Sequence, residues 1–161
     1  MRARSFRRIP ASADVVWRVL THHEGMSSWA PGVMVTIERR GTTDSDGVGA
    51  VRVVRMAGIS IRELITQFEP DTRLGYRCVS GIPLRDYSGD VRLSPDGQFT
   101  DVTWELSAAV RSSALGGLLA LYSRVFISAL DRAVQREVRR AASAPSEGVS
   151  GTLEPAARRV S

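Results

Sequence analysis

Apolar and polar residues change rhythm twice along this chain. Val15, Val16, Val19 and Leu20 recur at helical spacing, which predicts a first helix. Ser12 suits its N-cap, and Asp14 falls in the first turn, where the helix dipole favours an anion. A short strand, Ser5–Ile9, precedes it and is stopped by Pro10. His23–Trp29 predicts a second short helix, ended by Pro31-Gly32. Period two then takes over, predicting six strands over roughly 33–40, 48–56, 59–68, 73–80, 86–94 and 99–110. Gly41–Gly47, Ala57-Gly58, Pro70-Asp71, Gly81-Ile82-Pro83 and Pro95-Asp96-Gly97 punctuate them. Loops this short between successive strands imply an antiparallel meander.

Helical period returns from Leu115. Leu115, Leu118, Leu119, Tyr122, Phe126, Leu130, Val134 and Val138 form one stripe of a long amphipathic helix. The other face carries Arg124, Asp131, Arg132, Gln135, Arg136, Arg139 and Arg140. After Ala142 the chain is rich in Ser, Ala, Gly, Pro, Glu and Arg, which predicts a disordered tail over 143–161 and one domain over 1–142. This order makes an α+β arrangement. The helix stripe is buried by lying across the concave face of a curved sheet, and a bent sheet under a straight helix leaves room for a cavity.

A turn centred on Ala57-Gly58 sets Met56 opposite Ile59, Val54 opposite Ile61, Arg52 opposite Glu63 and Ala50 opposite Ile65. Side chains alternate faces along a strand, so these eight share one face. An otherwise apolar face therefore carries an opposed Arg–Glu pair. Two charges taken out of water cost several kcal/mol each. The pair is thus expected to face a partly wet cavity, inward and at least half buried. Alternation continues the inward face through Leu74, Tyr76 and Cys78, through Tyr87, Gly89, Val91 and Leu93, and through Val102, Trp104, Leu106 and Ala108. Tyr76, Tyr87 and Trp104 each carry a polar atom that needs a partner when buried. They either meet a ligand's oxygen atoms or bond within the core.

Composition narrows the function. The chain has 161 residues and a net charge of +5, and all 22 basic residues are Arg. Many of these lie near the ends, but no nucleic-acid motif accompanies them, so nucleic acid is not an expected partner. No apolar run approaches the roughly 20 residues that span a bilayer. No apolar stretch follows the basic N-terminus, so it does not read as a secretory signal. Cys78 is the single cysteine, which excludes an intrachain disulfide and a cysteine metal site and fits a cytoplasmic location. Cys78 reads as a small buried hydrophobe, His22 and His23 as exposed helix-end residues, and Asp44 and Asp46 as solvated. Gly47-Val48-Gly49 leads into a strand rather than a helix, so it reads as a turn and not a phosphate loop. No zinc spacing, nucleophile elbow or paired-carboxylate motif is present, and neither metal nor cofactor is expected.

The order of elements resembles the helix-grip fold of the START/Bet v 1-like superfamily, in particular the polyketide cyclase/dehydrase and lipid-transport family. The residues carrying the resemblance are Ile9-Pro10-Ala11-Ser12-Ala13-Asp14-Val15-Val16-Trp17, Trp29-Ala30-Pro31, Gly47-Val48-Gly49-Ala50-Val51-Arg52, Glu63, Phe68-Glu69-Pro70, Tyr76, Tyr87-Ser88-Gly89 and Thr103-Trp104. The resemblance implies a curved antiparallel seven-stranded sheet around a long C-terminal helix, with two short helices after the first strand. It also implies a hydrophobic cavity between sheet and helix. Trp29, Arg52, Val54, Glu63, Ile65, Tyr76, Tyr87, Trp104, Leu119, Tyr122 and Phe126 are the candidate ligand-binding residues; no catalytic set is transferable. The expected function is binding of a lipid or polyketide-like molecule by a monomer or homodimer. An aromatase/cyclase or dehydrase enzyme is the alternative, and a regulatory or toxin-like partner-binding protein a third class. Gly81-Ile82-Pro83-Leu84 with Gly116-Gly117 is a candidate gate to the cavity.

Overall fold

The computed structural model describes residues 1–109 and 113–143, without the side chains of Ser113 and Leu115. Seven strands form one antiparallel sheet in the order β1-β7-β6-β5-β4-β3-β2. They are β1 (Arg2–Ile9), β2 (Val33–Arg39), β3 (Val51–Met56), β4 (Ile59–Glu69), β5 (Arg73–Ser80), β6 (Arg85–Asp96) and β7 (Phe99–Ala109). Helix α1 (Ala13–Thr21) and a single 3-10 turn (Glu24–Ser28) carry the chain from β1 at one edge to β2 at the other. The long helix α2 (Ser113–Ser143) packs on β1, β7 and α1. This is the helix-grip fold. Position 110, the side chain of Leu115 and the predicted tail beyond Ser143 lie outside the described residues.

Register shifts bend the sheet. They fall between Ile37 and Arg39, between Arg62 and Glu63, between Ile65 and Gln67, and between Arg85 and Ser88. Each bulge increases local twist and curls the strands toward α2. The concave face carries the core, including Ile65, Leu74, Val91, Val102 and Leu106, against Phe126, Leu130 and Val134 of α2. Tyr76 faces Gly89 across the β5–β6 pair, and a Cβ at Gly89 would overlap the Tyr76 ring. Glycine at that position is what lets the aromatic ring lie flat on the sheet.

The structure corrects several expectations. β1 begins at Arg2, not Ser5, and β3 at Val51, not Val48. The second helix is 3-10. Leu118 is 57% and Val138 38% exposed, so neither belongs to the buried stripe of α2. Leu118 and Leu119 project about 100° apart, and Leu119 takes the core side. Asp131, assigned to the polar face, is buried and accepts hydrogen bonds from Arg7 Nε and Gln135 Nε2. Gly116 packs against Met1, which accounts for a small residue there by close approach.

The Ala57-Gly58 turn has φ values of 47° and 79°. Two left-handed residues give the primed turn whose twist matches a hairpin. Gly58 adopts this conformation freely, but Ala57 does not. Ala57→Asn should therefore stabilise the protein by about 1 kcal/mol, read as a higher denaturation midpoint with unchanged slope.

Candidate functional site

The β3–β4 hairpin places Arg52 directly opposite Glu63. Arg52 Nε donates to Glu63 Oε2 at 2.8 Å, and the two side chains are 3% and 5% exposed. The register and burial are those expected from the turn. Burial opposes the charge on Arg52, but the charge and hydrogen bond of Glu63 outweigh it and hold its pKa above the ordinary value. The guanidinium also lies over the Tyr76 ring, 4.6 Å from its centroid, a cation–π contact.

His23 completes the cluster. It was expected at an exposed helix end, yet it is fully buried. The chain turns inward between α1 and the 3-10 turn, and the imidazole bridges two elements. Nε2 lies 2.9 Å from the Asp46 carbonyl and Nδ1 lies 3.1 Å from an Arg52 Nη. A carbonyl only accepts and a guanidinium only donates, so Nε2 carries the proton and Nδ1 receives Arg52. Burial first, then the charge of Arg52, pushes the His23 pKa down to about 3. His23 is thus neutral at physiological pH, with its lone pair committed to Arg52. Asp46, expected to be solvated, is half-buried beside it, and burial raises its pKa.

This cluster borders a small void between sheet and α2. Of the expected residues, Arg52, Val54, Glu63, Tyr76, Tyr87, Trp104, Tyr122 and Phe126 line it. Ile65 and Leu119 are core residues outside the lining, and Trp29, which touches Phe126, lines a separate groove. Met26, Ile61, Leu106 and Ser123 also line the void without having been expected as site residues. Ile61 and Leu106 lie on strand faces already read as inward; Met26 and Ser123 carried no local signal. The void measures about 20 Å³, room for about one water molecule.

The polar atoms on its wall are distinct. Trp104 Nε1 donates to Tyr76 Oη at 3.1 Å. The Tyr122 hydroxyl donates to Met56 Sδ. Tyr87 makes no side-chain hydrogen bond among the described residues although it is buried. Burial raises the pKa of all three phenols, so they are donors and not bases at neutral pH. Cys78 is half-buried rather than buried, its thiol donates to the Ser80 carbonyl, and burial raises its pKa. It has none of the surroundings of a reactive thiolate.

Two predictions follow from this geometry. Glu63→Ala leaves Arg52 buried without its carboxylate and should cost about 3–5 kcal/mol in denaturant melts. His23 has a folded pKa below its unfolded value, so the unfolded chain binds an extra proton between about pH 6.5 and pH 3. Its contribution is complete above pH 6.5 and is lost as pH falls, by roughly 1.4 kcal/mol per unit. His23→Gln retains an acceptor for Arg52 but does not titrate. Melts at pH 7 and pH 5.5 should show the wild type losing roughly 1 kcal/mol more than this variant.

The comparisons with known proteins agree with this architecture. The family model described as polyketide cyclase/dehydrase and lipid transport matches residues 1–144. No curated protein matches the chain in sequence. Among solved structures, the Zhui aromatase/cyclase from Streptomyces sp. R1128 superposes with a TM-score of 0.71 at 18% identity, over 88% of this chain and 97% of that one. A START superfamily protein from Mycobacterium smegmatis gives 0.69 at 13% identity, over 87% and 98%. The Aha1 dimer from Colwellia psychrerythraea gives 0.68 at 17% identity, over 83% and 96%. These structural likenesses establish the fold, and the match across residues 1–144 places the chain in the polyketide cyclase/dehydrase and lipid-transport family.

Proposed function

We propose that the protein binds an apolar or aromatic small molecule, of lipid or polyketide type, between the sheet and α2. The observation that carries this reading is the Tyr87 side chain, which makes no hydrogen bond among the described residues and lines a largely apolar and aromatic void beside the Arg52–Glu63 pair. A ligand carbonyl or hydroxyl is the partner it fits. Arg52, held by Glu63 and His23, supplies a fixed positive charge nearby. The void is far smaller than the roughly 300–1,000 Å³ of ligand pockets, so binding requires α2 or the Phe126 and Tyr122 rings to move outward. The family description supports this class of ligand. The loop Gly81–Leu84, with Ile82 and Leu84 half-buried against the core, is the segment we propose opens with it.

A second reading is catalysis of the cyclase or dehydrase type. The fixed Arg52 charge and protonated tyrosines favour it, because donors aimed at a carbonyl stabilise a developing enolate. His23 would act by positioning Arg52, since its lone pair faces that guanidinium. Use of the basic ends for partner binding is weakened by Arg2, Arg7 and Arg8, which pair with Glu105, Asp131 and with Asp96 and Asp101. Arg158 and Arg159 lie outside the described residues. Among the described residues, no helix is long and apolar enough to cross a membrane. A cytoplasmic monomer or homodimer is part of this proposal.

Native mass spectrometry of the purified protein should show a co-purifying small molecule. The neutral probe N-phenyl-1-naphthylamine should bind with enhanced fluorescence. Tyr87→Phe should leave that probe unaffected and weaken a carbonyl-bearing aromatic ligand about threefold to tenfold, the value of one hydrogen bond. No co-purified molecule together with no probe binding would overturn the proposal. Incubation with a linear poly-β-ketone separates the two readings: a carrier returns it unchanged, and a cyclase yields an aromatic product.

A further inference from the structure

A second concavity lies outside the core, between α1, the 3-10 turn and the C-terminal half of α2. It is an open groove of about 750 Å³. Arg18 of α1 and His22, the residue just past its end, lie four residues apart and both line the groove. Ala133, Arg136, Glu137 and Arg140 present one face of α2, at spacings of three and four. Two apolar side chains, Val19 and Ala133, and the Trp29 indole give the groove an apolar wall.

Three observations single this groove out. First, Arg18, Arg136 and Arg140 line the groove with a single carboxylate, Glu137, and none of them forms an ion pair among the described residues. Of the four arginines of β1, Arg2, Arg7 and Arg8 are paired among the described residues and Arg4 is not. Second, Trp29 is 9% exposed, and its Nε1 is the one buried side-chain polar atom among the described residues without a hydrogen-bond partner. An indole N–H can only donate, and leaving a buried donor unmade costs on the order of its desolvation. Third, Gly25 leaves room for His22: a Cβ there would lie 2.5 Å from the imidazole Nδ1. The groove therefore holds a cluster of cations beside an apolar surface, and one of its lining residues, Trp29, carries a buried unmatched donor.

We propose that this groove is a second binding site, distinct from the internal void, for an amphipathic anion. A carboxylate or phosphate head meets Arg18, Arg136 and Arg140, and the apolar body lies along Val19, Ala133 and the Trp29 ring. Guanidinium forks suit the paired oxygens of either head group. The Trp29 N–H donates to the anion or to a water bound with it. The site stands apart from the reading of the internal void, because the two share no lining residue.

Isothermal titration of the full chain with decanoate, decyl phosphate, decanol and inorganic phosphate tests this. Decanoate, decyl phosphate or both should bind, and the stronger of the two identifies the head group. Decanol and inorganic phosphate should each bind at least tenfold more weakly. Arg136→Gln/Arg140→Gln, at exposed positions, should weaken the anion at least tenfold while N-phenyl-1-naphthylamine binding stays unchanged. Trp29→Phe should weaken it severalfold and leave the fold intact by circular dichroism. Anion affinity unaltered in the double arginine variant would overturn the site. So would a loss produced by Tyr87→Phe instead, which would place the anion in the internal void. Equal binding of decanol would reduce the groove to an apolar surface, and equal binding of inorganic phosphate would remove the role of the apolar wall.

Discussion

Burying one guanidinium inside an apolar sheet face constrains the rest of the molecule. Arg52 is almost wholly out of water, and a lone charge there would be untenable. Its partners come from three elements: Glu63 across the hairpin, His23 from the junction of α1 and the 3-10 turn, and the Tyr76 ring from β5. Each contact fixes an element relative to β3. The hairpin register sets Glu63, the inward turn of the chain after α1 sets His23, and Gly89 makes room for Tyr76. A slip of one residue in the β3–β4 register would put Arg52 on the convex face and leave His23 without its donor.

The same cluster gives the site its electrical character. His23 and Glu63 accept two edges of the guanidinium, while its face rests on an aromatic ring. The void beside it is otherwise lined mostly by aromatic and aliphatic groups, and its other polar atoms are the protonated phenols, the Trp104 N–H and the Ser123 hydroxyl. Such a wall offers hydrogen-bond donors to a ligand's oxygen atoms and no free base. It suits recognition of carbonyl and hydroxyl groups on an apolar skeleton better than proton abstraction. The closed packing of Phe126 against Trp29, Trp104 and Tyr122 makes entry a matter of moving α2 side chains.

The sheet was legible because its information is local. Two-residue alternation and the Ala57-Gly58 turn suffice to align Arg52 with Glu63, and the inward lists for β5, β6 and β7 follow from the same rule. His23 was not legible, because its contact with Arg52 joins separate elements and leaves no periodic trace. Asp131 was misplaced for a similar reason. Helical spacing set it among charged neighbours, but Arg7 of β1 supplies a partner that lets it go inside. Leu118 shows the opposite error, an apolar residue beside the stripe that the sheet does not reach. The family resemblance put Trp29 among the candidate ligand residues, yet it lines the outer groove and touches Phe126, which lines the void. Tertiary pairing decided each of these positions.

Nitrogen-15 NMR of the imidazole of His23, followed from pH 8 to pH 4.5, tests the central cluster most directly. The account predicts a neutral ring throughout, protonated at Nε2, with Nδ1 showing the shift of a hydrogen-bond acceptor. A ring that becomes an imidazolium near pH 6.5, or that carries its proton on Nδ1, would contradict the Arg52–His23 contact and the buried cluster built on it.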